Sequence, residues 1–187
     1  KKLNVKGVVF MPVTTPNQKI HQTEMFGGVN IEIKLVGDTY DDCALAAKQY
    51  THEHDMTFIS AFDDYKIIEG QGTVAVEILE DLKDIDYLFL PIGGGGLGAG
   101  MGVYFKSVSP NTKIIGAEPH GAPGMLESIK AGHPVTLTTM DRFVDGAAVK
   151  RVGDIPYNIC KDVIDEVHLV PEGKICTTIL RLYNEDA

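Results

Sequence analysis

Two hydrophobic periods take turns along the chain. Residues 7–11 (GVVFM) form a short apolar run closed by Pro12, the mark of a buried strand. Thr15-Pro16 suits a helix start, with Thr as N-cap and Pro at the first helical position, and Gly27-Gly28 is its stop. VNIEIKLV (29–36) alternates like a half-buried strand, and Asp38-Thr39 caps a helix over 40–54. TFISA (57–61) reads as a strand and FDDYKIIEGQG as a loop with a glycine pair. TVAVEILEDL (73–82) reads as a helix with Val76, Ile78, Leu79 and Leu82 on its apolar side. Further on, DYLFLPI (86–92) is a strand, LGAGMGVYFKSV (97–108) a helix and TKIIGAE (112–118) a strand. APGMLESIKAG (122–132) is a helix stopped by glycine. After the irregular DGAAVKRVGD come a helix near 155–163, a strand at 166–170 and a helix from Glu172. Strands joined by helical crossovers predict an α/β fold of layered, mostly parallel sheets. The polar interruptions HEHD and DDYK, near 55–70, place a boundary that divides the chain into 1–58 and 59–187.

Bulk properties narrow the function. At 187 residues, 44% hydrophobic and 23% charged, the chain can hold one core, or one domain and part of another. A net charge of −9 argues against nucleic acid or an anionic membrane as partner, because both need a basic face. No apolar run approaches the roughly 20 residues of a membrane span. Cys43, Cys160 and Cys176 are odd in number and far apart, which fits a reducing, cytoplasmic compartment better than a disulfide framework or zinc site. The chain opens at KKLNVKGVVFMP without an initiator Met and stops at RLYNEDA with helical periodicity still running, so a fragment of a longer protein is expected.

The strongest chemical signal is Gly93-Gly94-Gly95-Gly96, set between a strand and a helix that starts near Leu97. Successive bare backbone N–H groups at a helix N-terminus form an anion nest, and the helix dipole adds positive charge. A tight strand-to-helix turn explains one or two glycines there, but four in a row point to close approach of a phosphate. Gly93-x-Gly95-x-x-Gly98 also satisfies the dinucleotide fingerprint, with Glu118 standing 20 residues after Gly98 where a ribose-binding acid belongs. The glycines alone therefore leave an NAD-binding domain open. Other candidates carry less. Asp63-Asp64 reads as a pair of surface carboxylates, Cys160 and Cys176 fall at core-like helical positions, and Lys150 beside Arg151 reads as a solvated or ion-paired cation. No Ser/His/Asp or HExxH-type set is recognisable among the histidines.

The wider context favours one phosphate. FLPIGGGGLGAG, preceded by EGQGTVAVEIL and followed by KIIGAEP, AGHPV and DGAAVKRVGD, resembles the threonine dehydratase (threonine ammonia-lyase) family, in order through nearly the whole chain. GGGGL differs from the GTGGT loop of cysteine synthases, and GQGT is shared with serine racemase. The resemblance implies a fold-type-II, tryptophan synthase beta-like enzyme with pyridoxal 5′-phosphate, incomplete at both ends. Residues 1–58 would be part of the small subdomain and 59–187 part of the large cofactor-binding one. It makes Gly93, Gly94, Gly95, Gly96 and Leu97 the phosphate loop and puts Gly146 beside the pyridine ring. Glu118 matches an acid that binds a divalent cation in serine racemase-like relatives. The partner position is Gly124, so Glu118 is expected to cap the following helix and no metal is expected. The family's Schiff-base lysine and its asparagine for the 3′-oxygen belong before Lys1, and its ring-nitrogen serine after Ala187. The implied activity is deamination of threonine to 2-oxobutanoate and ammonia by a cytoplasmic homodimer or homotetramer, with the 187-residue chain alone inactive. Serine racemase or serine dehydratase is the alternative on the same fold.

Overall fold

In the first unit of the chain, Lys1–Ile59, β1 (Gly7–Met11) and β2 (Ile31–Leu35) run parallel, with Gly7 opposite Ile31 and Met11 opposite Leu35. The structure is a computed structural model that describes residues 4–186. Between the strands lies α1 (Asn17–Gly27), which starts later than the Thr15 signal suggests: Pro16 is the N-cap, with no side-chain hydrogen bond. Thr15 is spent on a turn, its N–H donating to the Pro12 carbonyl. Gly28, at φ 56°, ends the helix and opens a single 3₁₀ turn over Gly28–Asn30, which shortens the following strand. Next, α2 (Tyr40–Glu53) begins with a capping box. The Thr39 hydroxyl accepts from the Asp42 N–H at 3.2 Å, and the Asp42 carboxylate accepts from the Thr39 N–H at 3.0 Å.

Residues 57–61 do not form the expected strand. Residues 57–60 pair with no strand among the described residues, and Ile59 is 74% exposed. The chain turns instead at Ser60, whose hydroxyl oxygen accepts from the Asp63 N–H at 3.0 Å. The supposed loop that follows is the first half of a 17-residue helix, α3 (Tyr65–Asp81). Its N-cap is Asp64, whose carboxylate accepts from the N–H groups of Lys66 and Ile67. Gly70 and Gly72 hid this helix, because glycine costs about 1 kcal/mol in a helix interior relative to alanine.

The second unit, Ser60–Ala187, is built on a three-stranded parallel sheet in the order β3 (Tyr87–Pro91), β4 (Lys113–Pro119), β5 (Glu166–Val170). Helix α4 (Gly96–Val108) connects β3 to β4, and α5 (Gly124–Ala131) and α6 (Asp154–Val163) lie between β4 and β5. The chain ends in α7 (Glu172–Asp186). The core gathers Leu88, Leu90 and Ile92 from the β3 region, Ile114 from β4, Met101 and Phe105 from α4, and Tyr157 and Cys160 from α6. On the opposite face of β3, Tyr87 and Phe89 stay 57% and 71% exposed. Cys176 is exposed rather than buried, as are Ile179 and Leu182 in the same helix. Periodicity marks an apolar stripe, but only a packed neighbour makes it a core. No helix of the described residues is long and apolar enough to cross a membrane.

The second glycine of EGQGT, Gly72, has a packing reason. A side chain at Gly100 of α4 would strike the Ile68 carbonyl oxygen and lie 2.7 Å from the Gly72 nitrogen in α3, and one at Gly72 would lie 3.3 Å from the Gly100 oxygen. The two backbones approach without side chains between them. Gly100→Ala should therefore cost about 1–3 kcal/mol by overpacking. Gly70→Ala, whose new methyl meets nothing within 4 Å, should stabilise by about 0.5–1 kcal/mol. Urea unfolding of the two variants measures both signs.

Candidate functional site

The tetraglycine loop begins where the β3–β4 pairing ends, with the Ile92 N–H donating to the Ala117 carbonyl at 2.8 Å. From there the chain crosses Gly93, Gly94 and Gly95 and enters α4 at Gly96. Gly95 is the N-cap and sits at φ 94°, a left-handed conformation that favours glycine. Protein atoms crowd the position of a side chain at every one of the four. At Gly93 it would lie 3.1 Å from the Ala147 Cα, and at Gly94 it would fall into the Phe62 ring. At Gly95 it would lie 2.8 Å from both Met125 Cε and Pro156 Cβ, and at Gly96 it would lie 3.0 Å from Phe62 Cβ.

Carbonyls and N–H groups of the loop have opposite fates. The Gly94 carbonyl accepts from the Gly153 N–H at 3.1 Å. The Gly95 carbonyl accepts from the Ala99 N–H at 2.9 Å and from the Cys160 thiol at 3.5 Å. Among the described residues, the N–H groups of Gly93, Gly94 and Gly95 donate to no carbonyl. Gly96, Leu97 and Gly98 make up the first turn of a 13-residue helix, where N–H groups have no intrahelical acceptor. Gly94, Gly95 and Gly96 are buried. Buried donors without acceptors are costly unless something satisfies them, and a row of them at a helix N-terminus suits an anion.

Around the loop, the sequence-selected residues divide. The 145–154 stretch comes up against it through Ala147 and Gly153, while Gly146 itself is exposed and a side chain there would meet nothing within 4 Å. Lys150 lies on the same stretch, its carbonyl accepting from the Leu137 N–H. Arg151 holds Asp154 in a two-pronged pair at 2.6 and 3.2 Å, and that guanidinium keeps the Asp154 carboxyl below its usual range. Cys160 is fully buried; burial first, and the nearby Glu118 charge second, push its thiol up to about 12, so it serves as a neutral donor and not a nucleophile.

Glu118 is 1% exposed at the end of β4, and its two oxygens accept from the N–H groups of Met125 at 2.7 Å and Leu126 at 2.9 Å. It caps α5, as its place before the helix implies, with both oxygens turned to that helix start and closed off from solvent. The ribose contact that a dinucleotide would need is thus not available from this residue. Among the described residues, no three His, Cys, Asp or Glu side chains gather as a metal site.

The sequence reading missed Phe62 and misread Asp63. Asp63 is not a surface carboxylate: it is half-buried, and its carboxylate accepts from the Ile155 N–H in the first turn of α6 at 3.0 Å. Asp-Asp just before an apolar helical period marks a helix start and accounts for Asp64, the N-cap of α3, but not for Asp63.

All of residues 1–187 match the family described as pyridoxal-phosphate dependent enzyme, and the chain belongs to that family. The biosynthetic L-threonine dehydratase of Halalkalibacterium halodurans is 57% identical over 99% of the chain. This chain spans 45% of that relative's length, so it is about half as long as the curated relatives it matches. The processed form of threonine deaminase isoform 2 from Solanum lycopersicum superposes with a TM-score of 0.89 at 41% identity, over 99% of this chain and 50% of that one. Maize serine racemase superposes with a TM-score of 0.88 at 27% identity, over 97% of this chain and 54% of that one. Fold-type II and pyridoxal phosphate as cofactor follow from the family. The loop fits that cofactor's phosphate, since the N–H groups of Gly93 to Gly95 donate to no carbonyl among the described residues while the Gly94 and Gly95 carbonyls are already engaged.

Burial lifts the Glu118 carboxyl from the ordinary 4.5 to about 7, against the lowering effect of the Met125 and Leu126 N–H groups. A carboxyl with a raised folded pKa contributes stability that is complete below about 4.5 and is lost as pH rises through about 7. Between pH 4 and pH 8 the native chain should lose roughly 3 kcal/mol relative to Glu118→Gln, whose amide does not titrate. Parallel urea titrations of the two proteins across that range measure the difference.

Proposed function

We propose that this chain carries the phosphate-holding part of a pyridoxal phosphate-dependent threonine dehydratase, which converts threonine to 2-oxobutanoate and ammonia in the cytoplasm as a homodimer or homotetramer. The observation that carries the reading is that the N–H groups of Gly93, Gly94 and Gly95 donate to no carbonyl among the described residues, with Gly94 and Gly95 buried, where the chain leads into Gly96 and Leu97 at the start of α4. The 57% identity to a biosynthetic threonine dehydratase supports the substrate. Bound pyridoxal phosphate supplies the electron sink that lets an amino acid lose its α-proton and then its β-hydroxyl. Gly93 to Leu97 bind the phosphate through backbone N–H groups and so fix the ring. The Ala147 segment is held to the loop by the Gly153–Gly94 hydrogen bond, and we assign Gly146 of that segment to the side of the pyridine ring. Residues 1–58 serve as part of the small subdomain and 59–187 as part of the large one.

The chain spans less than half its relatives' length, and we place the lysine that carries the cofactor in the remainder. Serine racemase or serine dehydratase is the second reading, supported by the likeness to maize serine racemase. Turnover of threonine against serine by the relative-length protein separates the two. Gly95→Ala, which must accommodate a methyl at φ 94° against Met125 and Pro156, should weaken pyridoxal phosphate binding by roughly tenfold or more. Equilibrium dialysis reads that loss directly. The 187-residue chain incubated with pyridoxal phosphate and threonine should release no 2-oxobutanoate above the free-cofactor background; release would overturn the division of labour.

A further inference from the structure

Phe62, Asp63 and Asp64 are consecutive, and each side chain reaches a different element of the loop's surroundings. The Phe62 ring fills the space behind Gly94, so that a Cβ there would fall among its Cγ, Cδ1 and Cε1 atoms. Behind Gly96 it is the Phe62 Cβ, Cα and carbonyl oxygen that stand at 3.0, 3.1 and 3.2 Å. Asp63 accepts from the Ile155 N–H and so joins this segment to the start of α6, whose Cys160 in turn donates its thiol to the Gly95 carbonyl. Asp64 accepts from Lys66 and Ile67 and joins it to the start of α3. Ser60 closes the segment on itself by accepting from the Phe62 and Asp63 N–H groups.

We propose that Phe62 is the positioning residue of the phosphate loop: its ring is the floor on which Gly94 rests, and Asp63 and Asp64 lock that floor to α6 and α3. This rests on the phosphate-loop reading above. Phe62 acts through the loop backbone and not on the phosphate itself. The chemical consequence is that glycine at 94 is demanded by a side chain, whereas glycine at 96 is demanded by backbone and a Cβ that every residue but glycine keeps. Neither position has a positive φ, so an alanine at either suffers from crowding alone.

That asymmetry makes a double-mutant test. In the full 187-residue chain, pyridoxal phosphate and, separately, inorganic phosphate are titrated while the backbone amide resonances of Gly93 to Leu97 are followed. Phe62→Ala alone should weaken binding, Gly94→Ala should weaken it by roughly tenfold or more, and adding Phe62→Ala to Gly94→Ala should recover part of that loss by relieving the clash. Gly96→Ala should weaken binding similarly and should not be rescued by Phe62→Ala. A general loss of structure would not distinguish these two rescues. If Gly94→Ala fails to fold, the same cycle is read from thermal unfolding: a cooperative transition regained in the double variant supports the proposal, and none regained overturns it. Equal behaviour of the two glycine positions overturns it while leaving the phosphate loop intact. If neither ligand shifts the Gly93 to Leu97 resonances of the native chain, the phosphate-loop reading fails and the proposal falls with it.

Discussion

The second unit is organised around a stretch of backbone that cannot carry side chains. Gly93 to Gly96 are enclosed by Ala147, by the Phe62 ring, by Met125 with Pro156, and by the backbone of Phe62, one boundary for each position. These come from the 145–154 stretch, from the turn before α3, and from α5 and α6. Elements far apart in sequence thus meet behind a single loop. The crowding on one side and the free N–H groups of the same residues are linked: a backbone immobilised by packing and by its own carbonyl hydrogen bonds offers donors that need no rearrangement when an anion arrives. Preorganised donors of this kind keep their full strength, because the ordering cost was met when the chain folded.

Much of this was legible in advance, and the reasons differ by element. β3, α4 and β4 follow from an apolar run, a small-residue helix and a second apolar run, because a continuous apolar run between turn signals reads as a strand even where, as in β3, one face stays exposed. Glu118 as a cap of α5 was readable because a carboxylate before a helix has a definite local use. The failures share a cause. The strand at 57–61 was inferred from β-branched and aromatic composition alone, and a strand exists only with a partner to pair with. The first half of α3 was hidden by Gly70 and Gly72, since the close approach of α4 that justifies Gly72 is a tertiary fact. Cys176 was misplaced because an apolar stripe on a helix says which face could be buried, not whether anything covers it.

The site divides along the same line. The glycines announce themselves, since four in a row have few structural explanations. Their enclosure does not, because Phe62 lies 32 residues before Gly94 and nothing in its neighbours marks a contact with the loop. Asp63 is a similar case: its hydrogen bond to Ile155 spans 92 residues, so no local pattern could have announced it. The sequence marks the loop; only the fold shows what holds it.

The choice between nucleotide and pyridoxal phosphate illustrates how a burial argument settles what a motif leaves open. The fingerprint Gly93-x-Gly95-x-x-Gly98 with Glu118 downstream is correct in spacing for NAD. A ribose-binding acid must present a free carboxylate to the crevice, yet Glu118 is 1% exposed with both oxygens engaged at the start of α5. Burial also raises its pKa to about 7, so near neutral pH it is divided between its charged and neutral forms. A group so placed stabilises a helix end beside Met125, which itself closes the space behind Gly95. The residue that the dinucleotide fingerprint assigns to a ribose instead holds the start of α5.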